Sequence, residues 1–190
     1  MRDLPNLLTL LRVLLIPVFL WLIFISRVEH RVAWALLVFA AASFTDWLDG
    51  YLARKWQVIS DFGKIADPLA DKLLVLSALA ALTRLQPYRL FWAIFALIGL
   101  REALITFLRE VYKQKGVIVP ADRLGKLKTV LQMTGIILAF SLWAWWPQQA
   151  AAHWARTAAH IWFGAVTLLT WVSGLNYLRP GRFAPVREAK

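Results

Sequence analysis

Six long apolar segments run through the 190 residues of this chain, and they restrict the folds that it can adopt. A helix that crosses the hydrocarbon core of a membrane needs about 20 predominantly apolar residues. Apolar side chains make up 60% of the chain, whereas an ordinary soluble domain has about 45–50%. The connections are short, so we predict an all-α integral membrane protein whose six transmembrane helices form one antiparallel bundle and a single domain. The segments are Leu7–Ile25, Val32–Ala53, Ile65–Leu82, Leu90–Leu108, Leu127–Trp146 and Ala158–Leu178.

The charge of the chain is strongly positive, at +11. An excess of basic residues can bind nucleic acid, but the apolar content argues against that partner and favours anionic membrane lipid. With six spans, most Lys and Arg residues fall on the side that carries both termini and the loops after the second and fourth segments. The positive-inside rule then places both termini in the cytoplasm. Cysteine is absent, which excludes disulfides and thiolate metal sites.

Four aspartates interrupt the second and third apolar segments. Asp46 and Asp49 are three residues apart, and Asp67 and Asp71 are four apart, so each pair lies on one face of a helix. A tight turn between the two segments would bring the faces together. Unpaired acids in hydrocarbon cost several kcal/mol each and usually mark function. Grouped carboxylates repel one another unless protons or cations intervene.

Oxygen ligands of this kind favour a hard divalent cation, Mg²⁺ or Mn²⁺, and four carboxylates could hold two ions. Small residues beside the aspartates, Gly50, Ala53 and Gly63, would let a ligand approach closely, and Arg54 offers a forked donor for phosphate. These features indicate phosphoryl-type chemistry. Two other readings remain: structural salt bridges to neighbouring Lys and Arg residues, and a pathway for protons or cations.

The same residues carry a resemblance to a known family. The pattern D-x2-D-G-x2-A-R-x8-G-x3-D-x3-D resembles the signature of the CDP-alcohol phosphatidyltransferases, a family of six-helix membrane enzymes. Such enzymes move a phosphatidyl group from CDP-diacylglycerol to an alcohol and release CMP. All eight fixed positions are present, namely Asp46, Asp49, Gly50, Ala53, Arg54, Gly63, Asp67 and Asp71.

The resemblance implies a role for each of these residues. The four aspartates would ligate two Mg²⁺ or Mn²⁺ ions, and Asp71 would also be the general base for the acceptor hydroxyl. The CDP-diacylglycerol and CMP pocket would be formed by Asp49, Gly50, Ala53, Arg54 and Gly63. The resemblance further implies a homodimer in the bacterial inner membrane, with its active site facing the cytoplasm.

Segments outside the signature narrow the acceptor. The opening Pro5-Asn6-Leu7-Leu8-Thr9-Leu10-Leu11-Arg12, the pair Arg101-Glu102 and the stretch that begins at Gly125 resemble family members that use sn-glycerol 3-phosphate. Phosphatidylglycerol, inositol phosphate and serine remain as alternative acceptors, and a cation or proton carrier remains as an alternative class.

Basic residues near the fourth and fifth segments are the candidates for the acceptor phosphate. Arg109, Lys126 and Lys128 lie at the predicted cytoplasmic ends of these helices, and several cations suit a dianion. The alternative for both lysines is a topology signal. Arg101 lies within an apolar run and needs an internal partner; it binds phosphate or forms a structural ion pair, while the adjacent Glu102 is expected to point elsewhere.

Two polar stripes complete the candidate site. Asn6, Thr9 and Arg12 recur every three residues on the first segment, where the family resemblance suggests contact with a substrate phosphate or support of the site. The alternative is anchoring at the membrane interface, with Arg12 reaching out to the lipid headgroups. Thr129 and Gln132 on the fifth segment either contact substrate or form hydrogen bonds between helices.

Overall fold

The computed structural model describes residues 4–56, 61–114 and 123–175, and all regular secondary structure in these ranges is helical. Each of the six predicted apolar segments falls on a long helix, which confirms the all-α class. A short additional helix was not predicted; it begins at Pro147, where a proline at the first helical turn costs no hydrogen bond. The helices are α1 (Leu4–Phe24), α2 (Arg31–Trp56), α3 (Asp61–Arg84), α4 (Trp92–Gln114), α5 (Arg123–Trp145), α6 (Pro147–Ala151) and α7 (His153–Leu175).

Four of these helices, α1, α2, α5 and α7, are long and apolar enough to cross a membrane. Helices α3 and α4 have 24 and 23 residues, but acidic and basic residues interrupt their apolar stretches. Large apolar side chains such as Leu168, Ile161 and Phe107 are about 70% exposed. That exposure suits a lipid solvent rather than water, so the chain is a multi-pass membrane protein.

The helices pack so that one end of the bundle, called the charged end, collects the signature aspartates together with basic residues of α4 and α5. Helix α1 lies against α2 and α3, while α5 packs against α2 and α7, and α4 packs against α3 and α7. At the centre, the ring of Phe19 lies 6.1 Å from that of Phe39 and 5.8 Å from that of Phe140. This aromatic contact joins α1, α2 and α5. Of these helices, α2 carries the first aspartate pair, and α5 carries Lys126 and Lys128.

Two polar side chains tie loops and helices to α5. Burial raises the pKa of Tyr88 to about 12, so this phenol stays neutral and donates to the Ala139 carbonyl oxygen at 2.9 Å. The Trp162 indole donates to the Leu131 carbonyl oxygen at 3.1 Å. That ring lies over Gly135, where a β-carbon would collide with it. The absence of a side chain at Gly135 therefore allows α5 and α7 to meet closely.

Replacing Gly135 by alanine is expected to destabilise the bundle by about 1–3 kcal/mol, because the new methyl group must displace the Trp162 ring. Gly164→Ala on α7 is the matched control, since a β-carbon there meets nothing within 4 Å. Thermal melting of the two variants in the same detergent checks this. Equal melting temperatures would show that the Gly135 contact does not matter.

Candidate active site

Three of the four signature aspartates gather around one arginine. These residues, Asp46, Asp49 and Asp67, form the acid cluster. Arg12 of α1 is fully buried, and its Nη1 atom lies 2.8 Å from Asp46 Oδ1 and 3.9 Å from Asp67 Oδ1. Its Nη2 atom donates to Asp49 Oδ2. The expected meeting of the acidic faces of α2 and α3 therefore occurs, with a cation from α1 between them. Burial of this pairing makes it costly to break, because each partner would leave an uncompensated charge.

Helix α1 contributes a second polar contact to the same cluster. The Thr9 hydroxyl donates to Asp67 Oδ1 at 2.5 Å, and Thr9 is buried. Arg12 does not reach out to the headgroups, so that alternative was wrong: three carboxylates hold its guanidinium inside the bundle. The side chain of Asn6 lies outside the described part of the chain.

The nucleotide pocket predicted from the signature is described only in part. Asp49 is buried, and Gly50 is partly buried beside it on α2. The side chains of Ala53 and Arg54 and the surroundings of Gly63 lie outside the described residues, although all three positions belong to the helices α2 and α3. Their predicted role at CDP-diacylglycerol stays a prediction.

The acid cluster offers carboxylate oxygens, the type of ligand that a hard divalent cation prefers. Its carboxylates already surround a positive charge, and Asp46 and Asp67 are 43% and 39% exposed, hence open to ions from the aqueous side. Within the described residues, no three acidic or histidine side chains converge closely enough to ligate one ion. Arg12 occupies the position between them, so Arg12 and a metal would share the same carboxylates.

Asp71 connects this cluster to a cavity of about 460 Å³. It lies close enough to Asp46 for the two charges to repel, and the charges of Lys72 and Lys128 also reach it. The cavity opens between α3, α4 and α5. Most of its charged lining residues are basic, and we refer to it as the basic cavity. These residues are Asp71, Lys72, Arg101, Glu102, Arg109, Lys126 and Lys128.

The predicted acceptor residues occupy this cavity in different ways. Arg109 and Lys126 are exposed at its mouth, whereas Lys128 is buried. The Lys128 ammonium donates to Glu102 Oε1. A lysine that served only to set the orientation of the chain in the membrane would not need this contact. The structure therefore brings together all four basic residues predicted for the acceptor phosphate, with Arg101 as the fourth.

Arg101 is a structural anchor as well as a lining residue. Its Nε atom donates to the Thr170 carbonyl oxygen at 2.9 Å, and its Nη2 atom donates to Ser173 Oγ at 2.8 Å. Its Nη1 atom lies 3.4 Å from Glu102 Oε1. The expectation that Glu102 points elsewhere was therefore wrong: the long glutamate side chain turns back along α4 toward its neighbour.

Sequence reasoning missed two residues of the cavity, Lys72 and Thr106. The Lys72 ammonium donates to the Thr106 hydroxyl, which links α3 to α4 beside Asp71. The position of Lys72 directly after the last signature aspartate was the available signal. On α5, Thr129 donates to the Gly125 carbonyl oxygen of its own helix at 3.2 Å, and Gln132 is buried beside the inner end of the cavity.

Comparison with known proteins supports the assignment drawn from the signature. The family model for the CDP-alcohol phosphatidyltransferases matches residues 2–172 of the chain. This range contains the acid cluster and every described residue of the basic cavity.

Individual relatives agree over most of their length. A protein of Escherichia coli (strain K12) named CDP-diacylglycerol–glycerol-3-phosphate 3-phosphatidyltransferase is 38% identical over 184 residues, covering 95% of this chain and 95% of the relative. A protein of Rickettsia typhi with the same name is 44% identical and covers 70% of this chain and 73% of the relative. A probable phosphatidylglycerophosphate synthase of Mycobacterium tuberculosis is 41% identical, covering 93% of this chain and 80% of the relative. The chain belongs to the CDP-alcohol phosphatidyltransferase family.

Proposed function

We propose that the protein transfers the phosphatidyl group of CDP-diacylglycerol to sn-glycerol 3-phosphate, giving phosphatidylglycerol phosphate and CMP. The observation that carries this proposal is the position of Asp71, which belongs to the acidic signature and also lines the basic cavity. A nucleotide lipid and a phosphorylated acceptor would then meet at one carboxylate. The names of the relatives support the same pair of substrates.

On the acidic side, Asp46, Asp49, Asp67 and Asp71 would hold two Mg²⁺ or Mn²⁺ ions against the pyrophosphate of CDP-diacylglycerol. Such ions would neutralise the charge of the pyrophosphate and of the departing CMP. Asp49, Gly50, Ala53, Arg54 and Gly63 would bind the CMP portion. Arg12 already pairs with three of these carboxylates, so bound ions would share them with its guanidinium.

The reaction requires one proton transfer and one displacement at phosphorus. Asp71 would accept the proton of the acceptor hydroxyl while the hydroxyl oxygen attacks the β-phosphorus, which carries diacylglycerol. The bond between that phosphorus and the bridging oxygen breaks, and CMP leaves with the electron pair. Positioned carboxylates commonly act as general bases in this way.

On the basic side, Arg109, Lys126, Lys128 and Arg101 would hold the acceptor phosphate. The cavity has five basic and two acidic side chains among its described lining residues, and this excess of positive charge suits a dianion. Arg109 and Lys126 at the mouth would meet the phosphate first. Lys128 lies deeper, on the side of Asp71.

We also propose the topology that this chemistry needs. All six long helices would cross the bacterial inner membrane, with both termini and the active site on the cytoplasmic side. The concentration of Lys and Arg at the charged end of the bundle supports this orientation. Family resemblance supports a homodimer of single-domain subunits.

Release of CMP from CDP-diacylglycerol tests the proposal with purified protein, Mg²⁺ and one acceptor at a time. We expect release with sn-glycerol 3-phosphate and little with phosphatidylglycerol, inositol phosphate or serine. Release with phosphatidylglycerol alone would instead identify a cardiolipin synthase. Ion flux into vesicles without any nucleotide lipid, together with no CMP release, would favour a carrier.

Replacing Arg109 by alanine is expected to raise KM for sn-glycerol 3-phosphate by about 10-fold or more, because one charge-assisted contact to the phosphate is lost. The KM for CDP-diacylglycerol should stay unchanged, since Arg109 lies on the basic side. Arg84→Ala, at the last turn of α3 and away from the charged end, is the control. An unchanged KM for the acceptor would remove Arg109 from the site.

A further inference from the structure

Glu102 is an acidic residue inside a basic cavity. Of the described lining residues, it and Asp71 alone carry negative charge. Asp71 belongs to the signature, whereas no step proposed above uses Glu102. Its carboxylate is 16% exposed, and one oxygen, Oε1, accepts from the Lys128 ammonium and lies 3.4 Å from Arg101 Nη1.

The partners of Glu102 are themselves deeply placed. The side chains of Lys128 and Arg101 are 9% and 5% exposed. A lysine ammonium at such a depth is held by four flexible bonds and is repelled by neighbouring cations, so it needs a counter-ion to stay in one place. Glu102 supplies that counter-ion from the adjacent helix α4.

Hydrogen bonds to α7 hold the residue beside Glu102 in place. Arg101 is bonded to two groups of α7, the Thr170 carbonyl oxygen and the Ser173 hydroxyl. Contacts therefore run from α7 through Arg101 and Glu102 to Lys128 on α5. A lysine ammonium has three donors, so Lys128 can keep Glu102 and still direct an N–H toward a ligand in the cavity.

We propose that Glu102 is a positioning residue of the acceptor site, which fixes the Lys128 ammonium where it meets the acceptor phosphate. This inference rests on the acceptor site proposed above. Glu102 acts through Lys128 and does not serve as a second base, because two cations already engage its carboxylate. The acceptor it favours carries a phosphate, since a neutral alcohol gains nothing from a fixed ammonium.

Steady-state kinetics of Glu102→Gln tests the inference, because the substitution removes the charge and keeps the shape. We expect KM for sn-glycerol 3-phosphate to rise about 10-fold, with KM for CDP-diacylglycerol unchanged and kcat within about 3-fold. Glu102→Asp should restore part of the affinity. Glu29→Gln is the control, because its side chain is 89% exposed at the opposite end of the bundle. Equal losses for both substrates would indicate a structural role and overturn the proposal.

A double-mutant cycle with Lys128→Gln separates the positioning role of Glu102 from the existence of the acceptor site. If Glu102 acts through Lys128, adding Glu102→Gln to Lys128→Gln changes KM by less than about 2-fold. A full additional effect would overturn the role of Glu102 while the acceptor site stands. An unchanged KM in Lys128→Gln alone would instead contradict the proposed acceptor site. If Glu102→Gln fails to fold, Glu102→Asp takes its place in the cycle, and an unchanged KM there would also overturn the inference.

Discussion

Replacing Asp71 by asparagine is expected to lower kcat by about 10²–10⁴-fold, the usual contribution of a general base. The amide keeps the shape of the side chain but cannot take the proton of the acceptor hydroxyl. Asp46 and Asp49 remain paired with Arg12 in this variant. CDP-diacylglycerol binding should therefore survive, and titration with the nucleotide lipid, monitored by calorimetry in detergent, checks it.

Another signature aspartate provides an informative contrast to the Asp71 experiment. Asp49→Asn should weaken CDP-diacylglycerol binding as well as turnover, because Asp49 is buried against Arg12 in the proposed nucleotide pocket. Glu29→Gln makes the same acid-to-amide change far from the site and should behave like the parent protein. An Asp71→Asn protein that turns over at the parental rate would refute the assignment of the base.

Replacing Arg12 by methionine should destabilise the folded protein by about 3–5 kcal/mol, the usual cost of removing one partner from a buried ion pair. Methionine fills similar space but leaves three carboxylates of α2 and α3 without the cation that joins them to α1. The melting temperature in detergent should fall clearly in metal-free buffer. Adding Mg²⁺ should recover part of the loss if the same carboxylates bind divalent ions.

Arg84→Met is the control for this variant, because Arg84 is exposed at the far end of α3. Arg12→Lys should lie between the two, since an ammonium cannot bridge separate carboxylates as a fork does. A metal-free melting temperature of Arg12→Met equal to that of the parent would mean that Arg12 does not hold the cluster together. If the melting temperature of Arg12→Met does not change when Mg²⁺ is added, this would argue against metal binding by these aspartates.

Helix positions and the acid cluster could be predicted from the sequence because both depend on local spacing. A run of apolar residues marks a helix whatever surrounds it, and Asp46 and Asp49 must share a face once α2 is helical. A tight turn between the two segments then predicts that the acidic faces of α2 and α3 meet. Within the described residues, α6 is the helix that was not predicted, because it has only five residues and no periodicity to detect.

Pairings between distant helices could not be predicted in the same way. Arg12 lies 37 residues from Asp49, and Lys128 lies 26 residues from Glu102. Sequence places each residue on a face of its helix, but the rotation of one helix against another decides which faces meet. For this reason the position of Arg12 between the aspartates, and the turn of Glu102 toward Arg101 and Lys128, became visible only in the structure.

Transfer of labelled sn-glycerol 3-phosphate into lipid is the most direct test of the proposed function. Purified protein would be incubated with CDP-diacylglycerol, Mg²⁺ and glycerol 3-phosphate labelled in its carbon skeleton, and the organic phase analysed by mass spectrometry. We expect labelled phosphatidylglycerol phosphate in equal amount to the CMP released, and no labelled lipid from Asp71→Asn. CMP release without label in the lipid phase would contradict the proposed function.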